Sequence, residues 1–359
     1  MNEPTLTPAV VIGAGLVGAS VGAALTDAGV EVHLVDAISS HARVAASRGG
    51  GTTEPIDAAS VRLVVVAVPP AKLAEVIADA LATYPKATIT DVGSVKGTVL
   101  ADLRGRGISL ARYVGSHPMA GSQRLGPLTA RADLFEDRTW VITPHDTSRA
   151  KAVLTVHALA KACGARIVSM GATHHDEAVA QVSHLPQLMS SLTAGRLNDV
   201  PDEHLQLAGQ GLRDVTRVAA SDPRMWTQII SANSDAVRAE LEAVRDALDD
   251  LLSGWGDPDA LRRFLADARQ GTRAIPGKHG TGPVAYAQVV VTIPDAPGAL
   301  ARLFADIEGA GVNVEDVRIE HDPAREVGYL AVQVAKPVAK ALEAAMTEAG
   351  WTLRPAESL

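Results

Sequence analysis

One cysteine, Cys163, stands in 359 residues. A single thiol forms no internal bridge, so nothing in the chain calls for an oxidising compartment. Its apolar frame, Leu159-Ala160 to Ala165, makes it a small core residue rather than a nucleophile. Aromatic side chains are scarce at 3%, so Ala, Val and Leu have to fill the core. Positive charge is in deficit: 33 Lys and Arg against 41 Asp and Glu give a net charge of −8. A chain of that sign has no overall field to draw nucleic acid or an anionic membrane, and an anionic ligand has to be held by local cations. Crossing a bilayer takes about twenty apolar residues, and the longest such run, Leu63 to Pro70, is far shorter. No basic segment followed by an apolar one marks a signal peptide near the N-terminus. The expectation is a cytoplasmic protein with neither nucleic acid nor membrane as partner. What is present is 47% hydrophobic and 21% charged residues. That balance supports a packed core, and the length suits two or three domains.

The first part of the chain alternates strand and helix patterns. Ala9–Ile12, Glu31–Val35, Leu63–Val68, Thr88–Asp91, Tyr113–Ser116, Thr139–Thr143 and Arg166–Ser169 read as strands, and Leu16–Ala28 as a helix. The continuous apolar run at Leu63–Val68 suits a parallel strand buried on both faces. The alternation predicts an α/β, Rossmann-type, doubly wound and mostly parallel sheet over 1–170. From 171 to 270 the periodicity is helical. Asp222 suits an N-cap and Pro223 a first helical position. From Trp226 a mostly apolar stripe runs through Ile230, Asn233, Val237, Leu241, Val244 and Leu248 to Leu251 at three- and four-residue steps. Such a stripe serves either a seam with another subunit or an ordinary intradomain bundle. Gly, Pro and basic residues over 271–283 mark a linker. The βαββα order over 284–359 predicts a small ferredoxin-like α+β domain.

Several short motifs carry chemistry. Gly13-Ala14-Gly15-Leu16-Val17-Gly18 follows a strand and opens a helix. Gly13 permits the tight turn, Gly15 lets the backbone approach a pyrophosphate, Gly18 lets the helix pack on the sheet, and Leu16 and Val17 sit at the helix start facing the phosphates. Asp36 ends the second strand, where a carboxylate accepts ribose hydroxyls and disfavours the extra phosphate of NADP; the expected cofactor is NAD. Asp91-Val92-Gly93-Ser94-Val95-Lys96-Gly97 lies on the ligand edge of the sheet, although a surface pair of Asp91 with Lys96 and an N-cap at Ser94 are plainer readings. Gly115-Ser116-His117-Pro118-Met119-Ala120-Gly121 puts a histidine ahead of a proline on an expected loop, a setting suited to general acid–base work. Arg213 and Arg217 are four apart, so one helix would present two guanidiniums to a dicarboxylate. His174, His175 and His184 lack the spacing of metal ligands, and no metal is expected.

Taken together, these segments resemble the prephenate/arogenate dehydrogenase family. The matching pieces are GAGLVGAS (13–20), DVGSVKG (91–97), GSHPMAG (115–121), HDEAVAQVSHLP (175–186) and GQGLRDVTRVAASDPRMW (209–226). Asp295, Pro297, Gly298 and Leu300 in one turn, with Asn313 further on, resemble an ACT module, a class that commonly holds amino acids at a shared interface. The resemblance implies NAD-dependent oxidative decarboxylation of prephenate. It implies His117 as the catalytic histidine, Ser94 beside the substrate hydroxyl and the cofactor, and Arg217 on a substrate carboxylate. It adds Arg213 and His184 to the substrate pocket, and Asp214 and Trp226 as groups that reach the site from a partner subunit. A homodimer with an amino-acid effector at the tail follows.

Two departures from the family pattern bear on specificity. Gln123 stands where relatives often carry Glu, and Gln187 where they often carry His. A neutral Gln123 favours the keto side chain of prephenate over the ammonium of arogenate, since a buried amine wants an anion beside it. The rival readings are an arogenate dehydrogenase, a related hydroxyacid or imine reductase, and a non-catalytic sensor of a dinucleotide and an amino acid.

Overall fold

The computed structural model describes residues 4–120, 126–275, 286–322 and 327–354. Gly121, Gln123 and much of the expected linker lie outside them. Two compact units, 1–250 and 251–359, divide the chain.

The first unit is organised on four parallel strands: β1 (Ala9–Ile12), β2 (Val32–Val35), β3 (Leu63–Val66) and β4 (Thr88–Asp91), in the order β2-β1-β3-β4. Side chains alternate across a strand. Leu63 and Val65 therefore enter one apolar cluster, with α1 (Leu16–Asp27) and α5 (Ala150–Ala162). Val64 and Val66 enter the other, with α3 (Leu73–Thr83) and α4 (Gly97–Gly105). All four residues of β3 are buried, as a double-faced parallel strand requires. α2 (Ser39–Ser47) follows β2. Cys163 closes α5 inside the first cluster, and burial lifts its thiol to about 12, so it stays protonated and inert.

The expected single sheet is in fact two. β5 (Gly115–Pro118), β6 (Thr139–Thr143) and β7 (Arg166–Ser169) form a separate three-stranded sheet, tied to β4 by an isolated parallel bridge between Ile89 and Tyr113. β5 and β6 run antiparallel, whereas β6 and β7, joined through α5, are parallel. Parallel neighbours need a long crossover, and the described part of the β5–β6 connection holds only two short 3-10 turns. β5 also starts later than its pattern suggests. His117 thus lies within the strand, opposite Val141, and not on a loop.

The rest of this unit is helical: α6 (Ala172–Val179), a π turn (Ala180–His184), α7 (Leu185–Arg196), α8 (Asp202–Leu205), α9 (Gln210–Thr216), α10 (Pro223–Ala232) and α11 (Ser234–Ser253), whose last turn passes the unit boundary. Pro186 has no N–H to give to the carbonyl four residues earlier, and the turn ahead of it is wound in the wider π register. Asp222 caps α10 by accepting the Arg224 N–H at 2.8 Å. The apolar stripe from Trp226 is not one helix. It breaks at Asn233, whose backbone leaves the helical region and whose side chain turns inward.

In the second unit, α12 (Pro258–Thr272) precedes β8 (Tyr286–Pro294), α13 (Ala299–Gly309), β9 (Asp316–Asp322), β10 (Val327–Ala335), α14 (Lys336–Glu348) and β11 (Thr352–Arg354). The sheet order β11-β8-β10-β9, antiparallel throughout, is ferredoxin-like. β11 was not read from the sequence because its three residues are too few to show a period. Among the described residues, no helix is long and apolar enough to cross a membrane.

Candidate active site

Strand order reverses between β1 and β3, the place where an open α/β sheet receives a dinucleotide. The loop after β1 is shaped for that use. Gly13 has φ +100°, and a Cβ there would stand 2.4 Å from the Ala67 carbonyl oxygen. A Cβ on Gly18 would meet the Gly13 carbonyl oxygen at 1.9 Å. A Cβ on Gly15 would meet nothing within 4 Å, so this glycine guards space that the protein leaves open. The first amides of α1, at Leu16 and Val17, have no acceptor inside the helix and face outward from its N-terminus. Asp36, just past β2, accepts the Ala14 N–H at 2.6 Å and the Ile38 N–H at 2.7 Å. Its carboxylate is thereby held beside the loop with lone pairs to spare for ribose hydroxyls. A cavity of about 890 Å³ touches both this loop, at Leu16, and the end of β5, at Met119 and Ala120.

His117 is the centre of a buried polar chain. Its Nδ1 lies 2.9 Å from Nε2 of His175 on α6. Nδ1 of His175 lies 2.8 Å from Oδ1 of Asp176. The Asp176 carboxylate also accepts the Lys96 and Gly97 N–H groups, at 2.8 and 2.7 Å, and so caps α4 from 79 residues away. The expected cap, Ser94, does not serve: its hydroxyl makes no protein hydrogen bond among the described residues. A carboxylate can only accept, so Nδ1 of His175 donates to it. With that one proton, His175 presents Nε2 as an acceptor. His117 donates Nδ1–H to it and keeps its lone pair on Nε2.

Charge around this chain is handled by burial in pairs. Lys96 is 1% and Asp91 0% exposed, so their ion pair lies in the interior and not on the surface. Tyr113 donates its hydroxyl to Asp91 at 2.8 Å, and Lys96 also donates to the Ser116 carbonyl at 2.8 Å. Such a pair resists loss of either partner, which would strand a buried charge. Burial, followed by His175, Lys96 and His184 nearby, holds His117 well below the ordinary histidine value of 6.5. His117 is therefore neutral, with its lone pair available. His184, 1% exposed, is pushed down to about 4, chiefly by burial. Asn233 donates to the Asp176 carbonyl at 2.7 Å and lies 3.2 Å from Nδ1 of His184. The break between α10 and α11 thus ties the helical part to the histidine chain.

The remaining expected residues fall into two groups. Trp226 stands edge-on to His184 at 6.1 Å between ring centres, and its indole Nε1 is buried without a partner among the described residues. α10 also packs on the turn Pro70–Lys72. Gln187 is buried on α7, one turn before Ser191. Arg213, Asp214 and Arg217 are exposed. The two arginines do not share one continuous α-helix: α9 ends at Thr216, and Arg217 opens a 3-10 turn held to α7 by the Ala219 N–H to Ser190 Oγ bond of 3.1 Å. In the second unit, Gly298 has φ +86° and leads into α13, Asp295, Pro297 and Leu300 are exposed around it, and Asn313 donates to Glu315 at 2.8 Å. Sequence reasoning missed Lys96 as a buried charge, weighed His175 only as a metal ligand, read Asn233 only as part of a helical stripe, and gave Asp176 no role of its own. The one available signal was the His175-Asp176 pair opening a helical segment.

A glycine loop at the sheet's switch point, with a half-buried neutral histidine on the sheet next to it, is the equipment of a dinucleotide-dependent oxidoreductase. Two family models match: the prephenate dehydrogenase nucleotide-binding domain over 21–169 and the prephenate dehydrogenase dimerization domain over 171–265. The chain is 36% identical over 328 residues to "Probable prephenate dehydrogenase NovF" of Streptomyces niveus, covering 88% of this chain and 90% of that one. It is 26% identical to the prephenate dehydrogenase of Lactococcus lactis, over 88% and 90% of the two chains. Among solved structures, prephenate dehydrogenase from A. aeolicus, in complex with hydroxyphenyl propionate and NAD+, aligns with a TM-score of 0.68 at 24% identity, over 76% of this chain and all of that one. This chain belongs to the prephenate dehydrogenase family.

Proposed function

We propose that the protein oxidises and decarboxylates prephenate to 4-hydroxyphenylpyruvate with NAD, in the cytoplasm, on the route to tyrosine. The observation that carries this reading is the His117–His175–Asp176 chain, which leaves a neutral base in the unit that carries the dinucleotide loop. Gly13, Gly15 and Gly18, the amides of Leu16 and Val17, and Asp36 hold NAD, which supplies the hydride acceptor. Nε2 of His117 takes the proton of the ring hydroxyl, with Ser94 alongside. The hydride leaves the carbon that bore that hydroxyl, carbon dioxide departs, and the ring becomes aromatic. Arg217, with Arg213, holds a substrate carboxylate, and Asp214, Gln187, His184 and Trp226 shape the pocket. His175 and Asp176 are positioning residues: they set the tautomer of His117 and touch no reacting atom.

The family's dimerization model and the exposed apolar side chains of α12 support a homodimer. The left-handed Gly298 and the open turn around it support an amino-acid effector at an ACT-type second unit. The deciding experiment follows NADH formation from NAD with prephenate or arogenate, with and without added tyrosine. Prephenate should support turnover, and His117→Asn should lower kcat at least a hundredfold, within the range of a lost general base. Absence of NADH with both substrates would overturn the reading. Turnover of arogenate alone would keep the chemistry and reverse the specificity. Gln123→Glu should move preference towards arogenate, and an unchanged ratio of kcat/KM values would remove Gln123 from the account.

A further inference from the structure

The edge of the sheet opposite the glycine loop carries a second cleft, of about 380 Å³. It is built where the chain enters β3, β4 and β5 and where α5 begins. Arg62, Lys86, Arg112, Arg149 and Lys151 line it, with Thr88 among them, and none of the described lining residues is acidic. That is out of keeping with a chain whose acids outnumber its bases by 41 to 33.

Only one of the five cations is engaged. Arg112 donates to the carbonyls of Leu81, Tyr84 and Ala87, at 2.6, 2.7 and 2.8 Å, and so braces the turn after α3. Arg62, Lys86, Arg149 and Lys151 make no side-chain ion pair or hydrogen bond among the described residues. Arg112 is held below the ordinary arginine value by burial and then by the nearby charge of Arg149. The cluster thus stands in mutual repulsion that no acidic group among the described residues relieves.

Two further features point into the same space. α5 is 13 residues long and starts here with no side-chain cap. The Arg149 N–H goes to the Ala111 carbonyl, but the Ala150 and Lys151 N–H groups have no acceptor among the described residues. Independently, Thr88 is 7% exposed, its hydroxyl has no partner among the described residues, and it lines the cleft. The little access that this hydroxyl keeps is therefore available to a group bound in the cleft.

We infer that this edge binds a small, multiply charged anion of the phosphate class, at a site separate from that of the dinucleotide. Guanidinium forks, ammonium groups and free helix amides are the groups that recognise phosphoryl oxygens. Four unpaired cations exceed what a monocarboxylate neutralises, and the cleft has room for two linked phosphoryl groups or one phosphate ester. The anion would lock the entries to β3 and β4 to the start of α5.

The test is calorimetric titration of the full chain with pyrophosphate, in a phosphate-free buffer with NAD at saturation. Saturable one-to-one binding is expected, weakened at least tenfold by the double variant Arg149→Ala/Lys151→Ala and by Thr88→Val. Because Arg149 and Lys151 are exposed, the double variant should match the parent in ligand-free Tm and in KM for NAD. Inorganic phosphate should bind more weakly at the same site, displaced by pyrophosphate. No saturable binding, undiminished binding by the double variant, or binding seen without NAD but lost at saturating NAD would each overturn the inference. Citrate binding as tightly as pyrophosphate would overturn the phosphate class.

Discussion

At the scale of single residues, the site turns on which nitrogen of His117 is free. Asp176 orders His175, and His175 orders His117, so the tautomer is set two residues away from the chemistry. His175→Asn should lower kcat on the order of a hundredfold while leaving KM for prephenate nearly unchanged, a split expected when proton transfer and not binding is damaged. The pH profile separates this from a general loss of structure. In the parent, His117 stays neutral well below 6.5, so the acid limb of kcat/KM lies well below 6.5. Removing His175 takes away both the acceptor for the His117 Nδ1–H and a neighbour that disfavours protonation, so the limb should move. An acid limb that stayed in place would falsify the positioning role. His117 itself was legible in its short motif. Its partner was not, because the contact spans 58 residues and joins a strand to a helix, a distance no local pattern encodes. The same burial has a consequence for stability. The folded value of His184, about 4, lies below its ordinary 6.5, so between those values the unfolded chain binds a proton that the native chain does not. The slope ∂ΔG/∂pH is then positive, and the stability that rests on a neutral His184 is present above 6.5 and lost as pH falls towards 4. Urea midpoints measured from pH 7 to pH 4 should fall more steeply for the parent than for His184→Gln.

At the scale of elements, the glycine loop separates folding from binding. Gly18 and Gly15 belong to one motif yet face different constraints. A methyl on Gly18 collides with the Gly13 carbonyl, whereas one on Gly15 enters open space. Gly18→Ala should therefore lower Tm and yield of folded protein. Gly15→Ala should keep the parent's Tm and raise KM for NAD at least tenfold, because its methyl occupies only the room left for the pyrophosphate. Equal damage to Tm in both variants would show that Gly15 is packing and not cofactor space. Most strands, the glycine loop and the cap at Asp222 were readable, since each depends on neighbours a few residues apart. The break at Asn233 was not. The apolar stripe from Trp226 continues through it unchanged in period, and the helix stops because Asn233 serves Asp176 and His184 from another segment. Residues that end an element for the sake of a distant partner leave no trace in periodicity.

At the scale of the whole molecule, each unit has its own apolar core, and among the described helices of more than ten residues α12 is the one with no buried residue. Yet Leu261, Phe264 and Leu265 fall at three- and four-residue steps, exposed by 44, 42 and 57%. A helix of 15 residues is marginal alone in water, and its stability comes from covering an apolar face. A second copy of the chain supplies that cover in the homodimer reading, and the apolar-to-charged change Leu261→Lys/Phe264→Lys tests it. Sedimentation at micromolar concentration should give twice the chain mass for the parent and the single chain mass for the double variant. The His117 chain and its Trp226–His184 contact are built within one protomer, so the monomeric variant should retain measurable NADH formation with the parent's acid limb. A double variant that still sediments as a dimer would move the interface elsewhere. A parent that sediments as a monomer would leave this face for a different partner and remove the homodimer from the reading. A monomer wholly without activity would mean that a second copy completes the site, against the single-chain assembly that the buried polar network describes.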